Sequence, residues 1–242
     1  MAVDEALMQS VRDGGPAVLR LYRWSPACLS LGRNQPARGA YASDRIADSG
    51  LQVVRRLTGG RAVLHDRELT YSVVIRDRAL GSPRAAYAAI NRALVRALSV
   101  LGVPAHLQPR GAAHSAVPSL APCFRDPAEG EVVVAGRKLI GSAQFRERGV
   151  ILQHGSLLLH DDQYRIRDLL VHQSGADEDP PAVLSTLLPR LPPWSALADA
   201  LEIGFRETAA PGLTSDALSD AEHERAAALA GRFADPAWTW RF

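Results

Sequence analysis

Lys138 is the only lysine in the chain; every other basic residue among the 28 lysines and arginines is arginine. Arginine presents a fixed planar fork, whereas lysine presents a compact ammonium with three rotatable donors and a pKa that responds to its surroundings. Chemistry at a carbonyl or phosphate oxygen in a narrow pocket can require the second and reject the first. Lys138 lies in GRKLIGSAQF, an apolar stretch with closely spaced glycines that does not read as a solvated face. In strand geometry Lys138, Ile140 and Ser142 share one face, Arg137 and Leu139 take the other, and Gly141 leaves bare backbone beside the ammonium. Such a face could polarise an acyl carbonyl and stabilise the oxyanion formed when it is attacked.

Cys123 stands in APCFRDP, at the end of a long Pro, Ala and Gly-rich loop. A cysteine nucleophile needs exposure and an electropositive surround to hold its thiolate, which Arg125, Lys138 or a histidine could supply. The plain alternative is a small buried hydrophobe. That is the reading for Cys28, which sits within the apolar strand CLSLG. The densest cluster is RRLTGGRAVLHDRELTYS, Arg55 to Ser72. Its Gly59-Gly60 pair permits positive φ and close backbone approach to a ligand, and Arg55, Arg56 and His65 place donors around that backbone. Read alone it is a hairpin turn flanked by charges, and it matches neither the P-loop nor the GxGxxG nucleotide pattern. The seven histidines show no HxH, HxxxH or CxxC-type spacing, so no metal site is expected.

The elements that must position these residues follow from periodicity. Val3, Leu7, Met8 and Val11 mark an amino-terminal helix ending at Gly14-Gly15. AVLRLYRW, CLSLG, LQVVRRL, RAVLH and LTYSVVI read as strands, with a helix inside the connector 35–49. Ser82-Pro83 caps a helix whose stripe is Tyr87, Ile90, Leu94, Leu98 and Leu101, closed by Gly102. EVVVAGRKLIGSAQF reads as a hairpin turning at Ala135-Gly136, with VILQHGSLLL beside it. Residues 173 to 181 form an acidic loop, expected to be mobile. A Ser219-x-x-Glu222 capping box opens a last helix before the aromatic tail WTWRF. Strands cluster between helices without strict alternation, which predicts an α+β fold with a mixed sheet flanked by helices.

Composition excludes several classes. With 47% hydrophobic residues the chain can bury a large core, and no apolar run approaches a membrane span. Two cysteines exclude a disulfide scaffold, and with no basic-then-apolar leader the expected compartment is a reducing cytoplasm. A net charge of +2 with interspersed signs leaves no nucleic-acid footprint.

Taken together, RRLTGGRAVLHDRELTYSVV, the Cys-Phe pair at Cys123, GRKLIGSAQFRERGVILQHGSLLL and the opening MAVDEALM with RLYRWSPACLSLGRNQ resemble the lipoate–protein ligase A / biotin ligase-like family. Within it they are most similar to the cysteine-dependent octanoyltransferases of the LipM type. The likeness covers about residues 1 to 160 and, more loosely, the closing helix and Trp-rich tail. It implies a catalytic domain over residues 1–205, with a helix and tail over 206–242 packed on it. It implies transfer of an octanoyl group from acyl carrier protein to a lysine of a lipoyl domain or glycine cleavage H protein, with no cofactor. Cys123 would be the acyl-accepting nucleophile and Lys138 the lysine at the acyl carbonyl. Arg56, Gly59, Gly60, His65, Gly141, Ser142 and His154 would line the acyl pocket, with His65 and His154 both candidates for the base and Lys138 an electrostatic alternative.

The chain departs from the family after Cys-Phe. It has RDPAEGE, with Ala128 and Gly130 where a serine and an aromatic are expected, which bears on acyl selectivity. One amino-terminal strand is also expected to be missing. The alternative is an ATP- and Mg-dependent lipoate–protein ligase. Gly-Gly-Arg in place of Gly-Gly-Gly, the presence of Cys123 and the lack of a following accessory domain argue against it. An octanoyl amidotransferase would share the nucleophile. A biotin ligase lacks support because no GRGRxG-type loop is present. A non-catalytic carrier-protein binder would need neither Cys123 nor Lys138.

Overall fold

The computed structural model describes residues 1–109, 111, 124, 127–172 and 180–242. Cys123 and most of the Pro-rich loop therefore lie outside the described residues, as do 173–179 of the acidic loop. The helices are α1 (Ala2–Arg12), α2 (Ser43–Asp48), α3 (Pro83–Val100), α4 (Leu184–Leu187), α5 (Trp194–Thr208), α6 (Asp220–Ala234) and α7 (Pro236–Thr239). The strands are β1 (Val18–Tyr22), β2 (Cys28–Leu31), β3 (Gln52–Arg55), β4 (Val63–His65), β5 (Glu68–Arg76), β6 (His106–Leu107), β7 (Val132–Val134), β8 (Arg137–Glu147) and β9 (Val150–Leu158).

Two sheets form. The larger, ordered β1-β5-β9-β8-β7-β6, is antiparallel at every pair. The smaller, β3-β2-β4, carries the parallel β2–β3 pairing that makes the architecture mixed. Strand alternation gives the large sheet two unlike faces. On one, Leu69, Tyr71, Val73 and Ile75 of β5 pack against Ile90, Leu94 and Leu98 of α3 and Leu197, Leu201 and Phe205 of α5. On the other, Val74 and Leu152 meet Leu7, Met8 and Val11 of α1, with Phe233 of α6. Farther along that second face the residues turn polar: Ser72 opposite His154, Thr70 opposite Ser156, then Glu68. The small sheet lies over this polar end, and the site forms between them.

Local chemistry accounts for the elements. The Ser82 hydroxyl accepts from the Ala85 N–H and caps α3, whose first residue is Pro83. Ala135 and Gly136, both with positive φ (48° and 74°), make the two-residue turn between β7 and β8. The capping box of Ser219 and Glu222 opens α6. The division expected after residue 205 falls inside α5, which patterning did not delineate. The tail is stapled by Arg55, which is fully buried and donates to the carbonyls of Gly32, Gln35 and Thr239. Trp238 Nε1 donates in return to the Arg55 carbonyl at 2.9 Å. No helix among the described residues is long and apolar enough to cross a membrane.

One expectation of register fails. Val132 pairs with Ile140 but Val133 pairs with Lys138, so one step on β7 spans two on β8 and Leu139 is the extra residue of a β-bulge. Leu139 and Ile140 consequently both enter the α3 and α5 core. Lys138 is turned to the Gly141 side, its Cε only 3.3 Å from where a Gly141 Cβ would stand. It does not share a face with Ser142, as simple alternation requires.

Candidate active site

A pocket whose empty space, including its opening to solvent, is about 360 Å³ lies between the polar end of the large sheet and the small sheet. Tyr22, Val63, Gly141, Ala143 and Gly155 give it apolar walls, and Ser30, Arg56, His65, His154 and Ser156 give it polar ones. Five of the sequence-derived candidates (Arg56, His65, Gly141, Ser142 and His154) line it.

Lys138 is 3% exposed and its Nζ lies 2.7 Å from Glu131 Oε1, itself a buried carboxylate. Glu131 is held by the Ala128 N–H, which donates to its Oε2 at 2.8 Å. Phe124, the chain neighbour of Cys123, is buried, and its ring lies 5.4 Å from the Lys138 ammonium. A Cβ on Gly141 would come within 2.9 Å of that ring. Gly141 thus gives the room in which Phe124 and the Lys138 stem pack together. Lys138 is not itself among the pocket-lining residues; it packs beside Gly141, which is, with Glu131 as its ion-pair partner.

Arg56 organises the opposite wall. Its guanidinium donates to the carbonyl and hydroxyl of Ser30, to the carbonyls of Gly59 and Arg61, and to Thr58 Oγ1. Gly59 and Gly60 are themselves exposed and act through this turn. Gly60 has φ +93°, and its carbonyl would stand 1.8 Å from a Cβ on Gly32, so the two chain segments touch backbone to backbone. Ser142 contributes backbone to the pocket. Its hydroxyl points through the other face, to the Tyr71 hydroxyl at 2.7 Å and Asn91 Oδ1 at 3.4 Å.

The two histidines differ. His65 Nδ1 lies 2.7 Å from Glu68 Oε1, and its Nε2 lies 2.7 Å from Ser30 Oγ. Trp24 stacks on the ring at 4.4 Å between centroids, and its Nε1 donates to Thr70 Oγ1, which donates to Glu68. His154 Nε2 lies 2.6 Å from Thr58 Oγ1, and its Nδ1 is 3.7 Å from Asp4 Oδ2. Burial holds the His154 pKa below the usual histidine value, against the pull of Asp4. Burial opposes ionisation of Asp4 too, but the amino-terminal ammonium, His154 and Arg20 outweigh it and keep this carboxyl well below the usual range. Cys28 lies in the small sheet, its thiol pushed up to about 12 by burial, in keeping with a packing role.

Sequence reasoning missed Ser30, Glu68, Glu131, Thr58, Asp4 and Trp24. Glu68, three residues after His65, and Thr58, beside Gly59, carried a local signal; Glu131 is brought to Lys138 by the β7–β8 hairpin, and Ser30, Asp4 and Trp24 come from distant segments.

The profile of the lipoyl protein ligase A/B catalytic domain matches residues 1–188. The chain belongs to this family. Its similarity to the octanoyltransferase LipM of Kyrpidia tusciae is 40% identity, covering 100% of this chain and 93% of that one. With the octanoyltransferase LipM of Symbiobacterium thermophilum it is 37% identical, over 95% of this chain and 88% of the other. Among solved structures it superposes on a lipoate-protein ligase A bound with ATP with a TM-score of 0.81 and 24% identity, covering 99% of this chain and 92% of that one. A lipoate protein ligase of T. acidophilum with bound lipoic acid gives 0.78 at 24% identity, with the same shares covered. The expected fold, a mixed-sheet α+β catalytic domain of this family, is the one observed.

Proposed function

We propose that this chain is an octanoyltransferase, moving an octanoyl group from octanoyl–acyl carrier protein to a lysine of a lipoyl domain or glycine cleavage H protein through a thioester on Cys123. The observation that carries the reading is the likeness to octanoyltransferases along the whole chain, together with a buried lysine packed against Phe124, the chain neighbour of Cys123. In the first step the Cys123 thiolate attacks the donor carbonyl, the carrier thiolate leaves, and the acyl group rests on Cys123. In the second the target amine attacks, the Cys123 thiolate leaves, and the amine proton is lost as the amide forms. Lys138 stabilises the oxyanion of both tetrahedral intermediates, where a preorganised charge in a dry pocket is most effective. Apolar walls at Tyr22, Val63 and Ala143 suit a saturated acyl chain. No nucleotide or metal is needed, because the donor arrives already activated. Two sequential transfers also spare the site from holding both carrier proteins at once.

The test is intact mass spectrometry after incubation with octanoyl–acyl carrier protein without ATP. A hydroxylamine-labile octanoyl adduct on the native chain and none on Cys123→Ala is the expected result. Modification of a lipoyl domain only when lipoate, ATP and Mg²⁺ are supplied would overturn the proposal in favour of a ligase.

A further inference from the structure

We infer that Ser30, His65 and Glu68 form a proton relay that takes the proton from the attacking amine, with Ser30 the group that touches it. The inference rests on the transferase reading and adds to it the route by which the amine loses its proton.

Valence settles the direction of the relay. An ionised Glu68 can only accept, so the short contact at 2.7 Å puts a proton on His65 Nδ1 and leaves Nε2 as the acceptor. The Ser30 hydroxyl, 2.7 Å from Nε2, must then donate to it. A hydroxyl has one proton and two acceptor positions. Arg56 Nη1 fills one of these on Ser30, at 3.1 Å. One remains, and Ser30 lines the pocket. An amine proton arriving at Ser30 Oγ moves the serine's own proton to His65 Nε2, and the imidazolium so formed faces the Glu68 carboxylate. The departing Cys123 thiolate takes up one proton as the relay resets, so the transfer balances.

The surroundings are built for this transient charge. Trp24 fixes the ring plane, and Thr70 fixes the carboxylate oxygen that His65 uses. Ser156 Oγ, 3.3 Å from Nδ1, sits in the strand position opposite Gly141, the residue on which Lys138 and Phe124 pack. The relay and the lysine thus meet on one pair of strands. Other charged or titratable groups around His65 are Arg56 after β3, Cys28 opposite it on β2, Tyr22 of β1, His154 of β9, Asp4 of α1 and the amino-terminal ammonium of Met1. His154 is the alternative base and lacks the arrangement. Its hydroxyl partner Thr58 is not among the pocket-lining residues, and its carboxylate stands at 3.7 Å, beyond hydrogen-bond reach. Arg20 and Ser72 engage that carboxylate through its other oxygen, Oδ1, each at 2.9 Å.

The experiment isolates octanoyl-Cys123 enzyme and follows its discharge by two nucleophiles, the lipoyl-domain lysine and hydroxylamine, across pH 5.5–9. Hydroxylamine, far less basic than a lysine amine, is neutral over the upper part of this range and sheds its proton readily, so there it has little need of the relay. Glu68→Gln and Ser30→Ala are expected to slow discharge to lysine by about 100-fold, the range of a lost general base. Discharge to hydroxylamine is expected to fall less than 5-fold, and the acid limb of the lysine pH profile to shift in Glu68→Gln. Glu68→Asp, which keeps the charge, should recover part of the rate. Equal losses for both nucleophiles, or a Glu68→Gln profile of unchanged shape, would overturn the relay while leaving the transferase reading intact. If one variant fails to fold, the nucleophile ratio of the other decides. A native chain that forms no adduct on Cys123 would overturn both.

Discussion

Two constellations of the same type adjoin the pocket, each a hydroxyl, a histidine and a carboxylate, and Arg56 touches the hydroxyl of both. In one, Ser30, His65 and Glu68 are joined by contacts of 2.7 Å, and the Glu68 carboxylate faces the histidine. In the other, Thr58, His154 and Asp4 are joined at 2.6 and 3.7 Å, and Asp4 is committed to Arg20. The difference teaches that residue type does not define a base. A carboxylate paired with an arginine and 3.7 Å away supports an imidazolium less, and burial outweighs its pull on His154. The first constellation is arranged to accept a proton for a moment. The second anchors α1 to the centre of the sheet.

The comparison can be sharpened by removing what both clusters serve. Cys123→Ala should abolish octanoyl transfer, by more than about 1000-fold, without moving the thermal midpoint; activity within tenfold of native would show that neither cluster serves a covalent intermediate. Next come the two carboxylates. Asp4→Asn should cost about 2 kcal/mol of stability, less than a fully buried pair because Arg20 keeps partial access to water, and should leave the shape of the rate–pH profile unchanged. Chemical denaturation would report the first and discharge kinetics the second. If Asp4→Asn instead reproduced the Glu68→Gln kinetics, the two roles would be reversed.

A smaller effect is expected beside His154. A Cβ at Gly155 would lie 2.3 Å from the Gly141 carbonyl and 2.8 Å from the Tyr71 ring, with backbone on one side that cannot yield. Gly155→Ala should destabilise by about 1–3 kcal/mol, as overpacking does, measured by the same unfolding curves. The smallest effect concerns pH. Because the folded pKa of His154 is depressed, the unfolded chain binds the proton first as pH falls. The stability this group gives is fully present above the ordinary value of about 6.5 and is lost below it. The native chain should therefore lose stability between about pH 6.5 and 5, at no more than about 1.4 kcal/mol per pH unit from this residue, and His154→Gln should flatten that slope. An identical slope in both proteins would mean that His154 is not the group responsible.

Much of the fold was legible because it rests on local rules. The Ser82 cap, the Ala135-Gly136 turn and the Ser219 box each act within four residues, so their chemistry is written where they occur. The bulge at Leu139 was not legible. It needs the partner strand β7 to impose a register, and it reverses the face on which Lys138 stands. The pocket was half legible. His65 and Arg56 lie in a dense polar and glycine-rich run and Lys138 is unique by type, whereas Ser30 sits in an apolar strand beside Cys28 with nothing nearby to mark it. Ser142, with the same local signal as its neighbours, sends its hydroxyl away from the pocket because the pleat turns it towards Tyr71.

The sequence by itself determined the elements, the family and the residue types capable of acyl transfer, because periodicity, capping and rare residues are properties of short stretches of chain. Only the tertiary structure decided which carboxylate serves which histidine. Glu68 and Asp4 are equivalent as side chains. Their difference is made by Arg20, which β1 brings against Asp4, and by Trp24 and Thr70, which hold Glu68 against His65. A charge is neutralised or kept by what folding places around it.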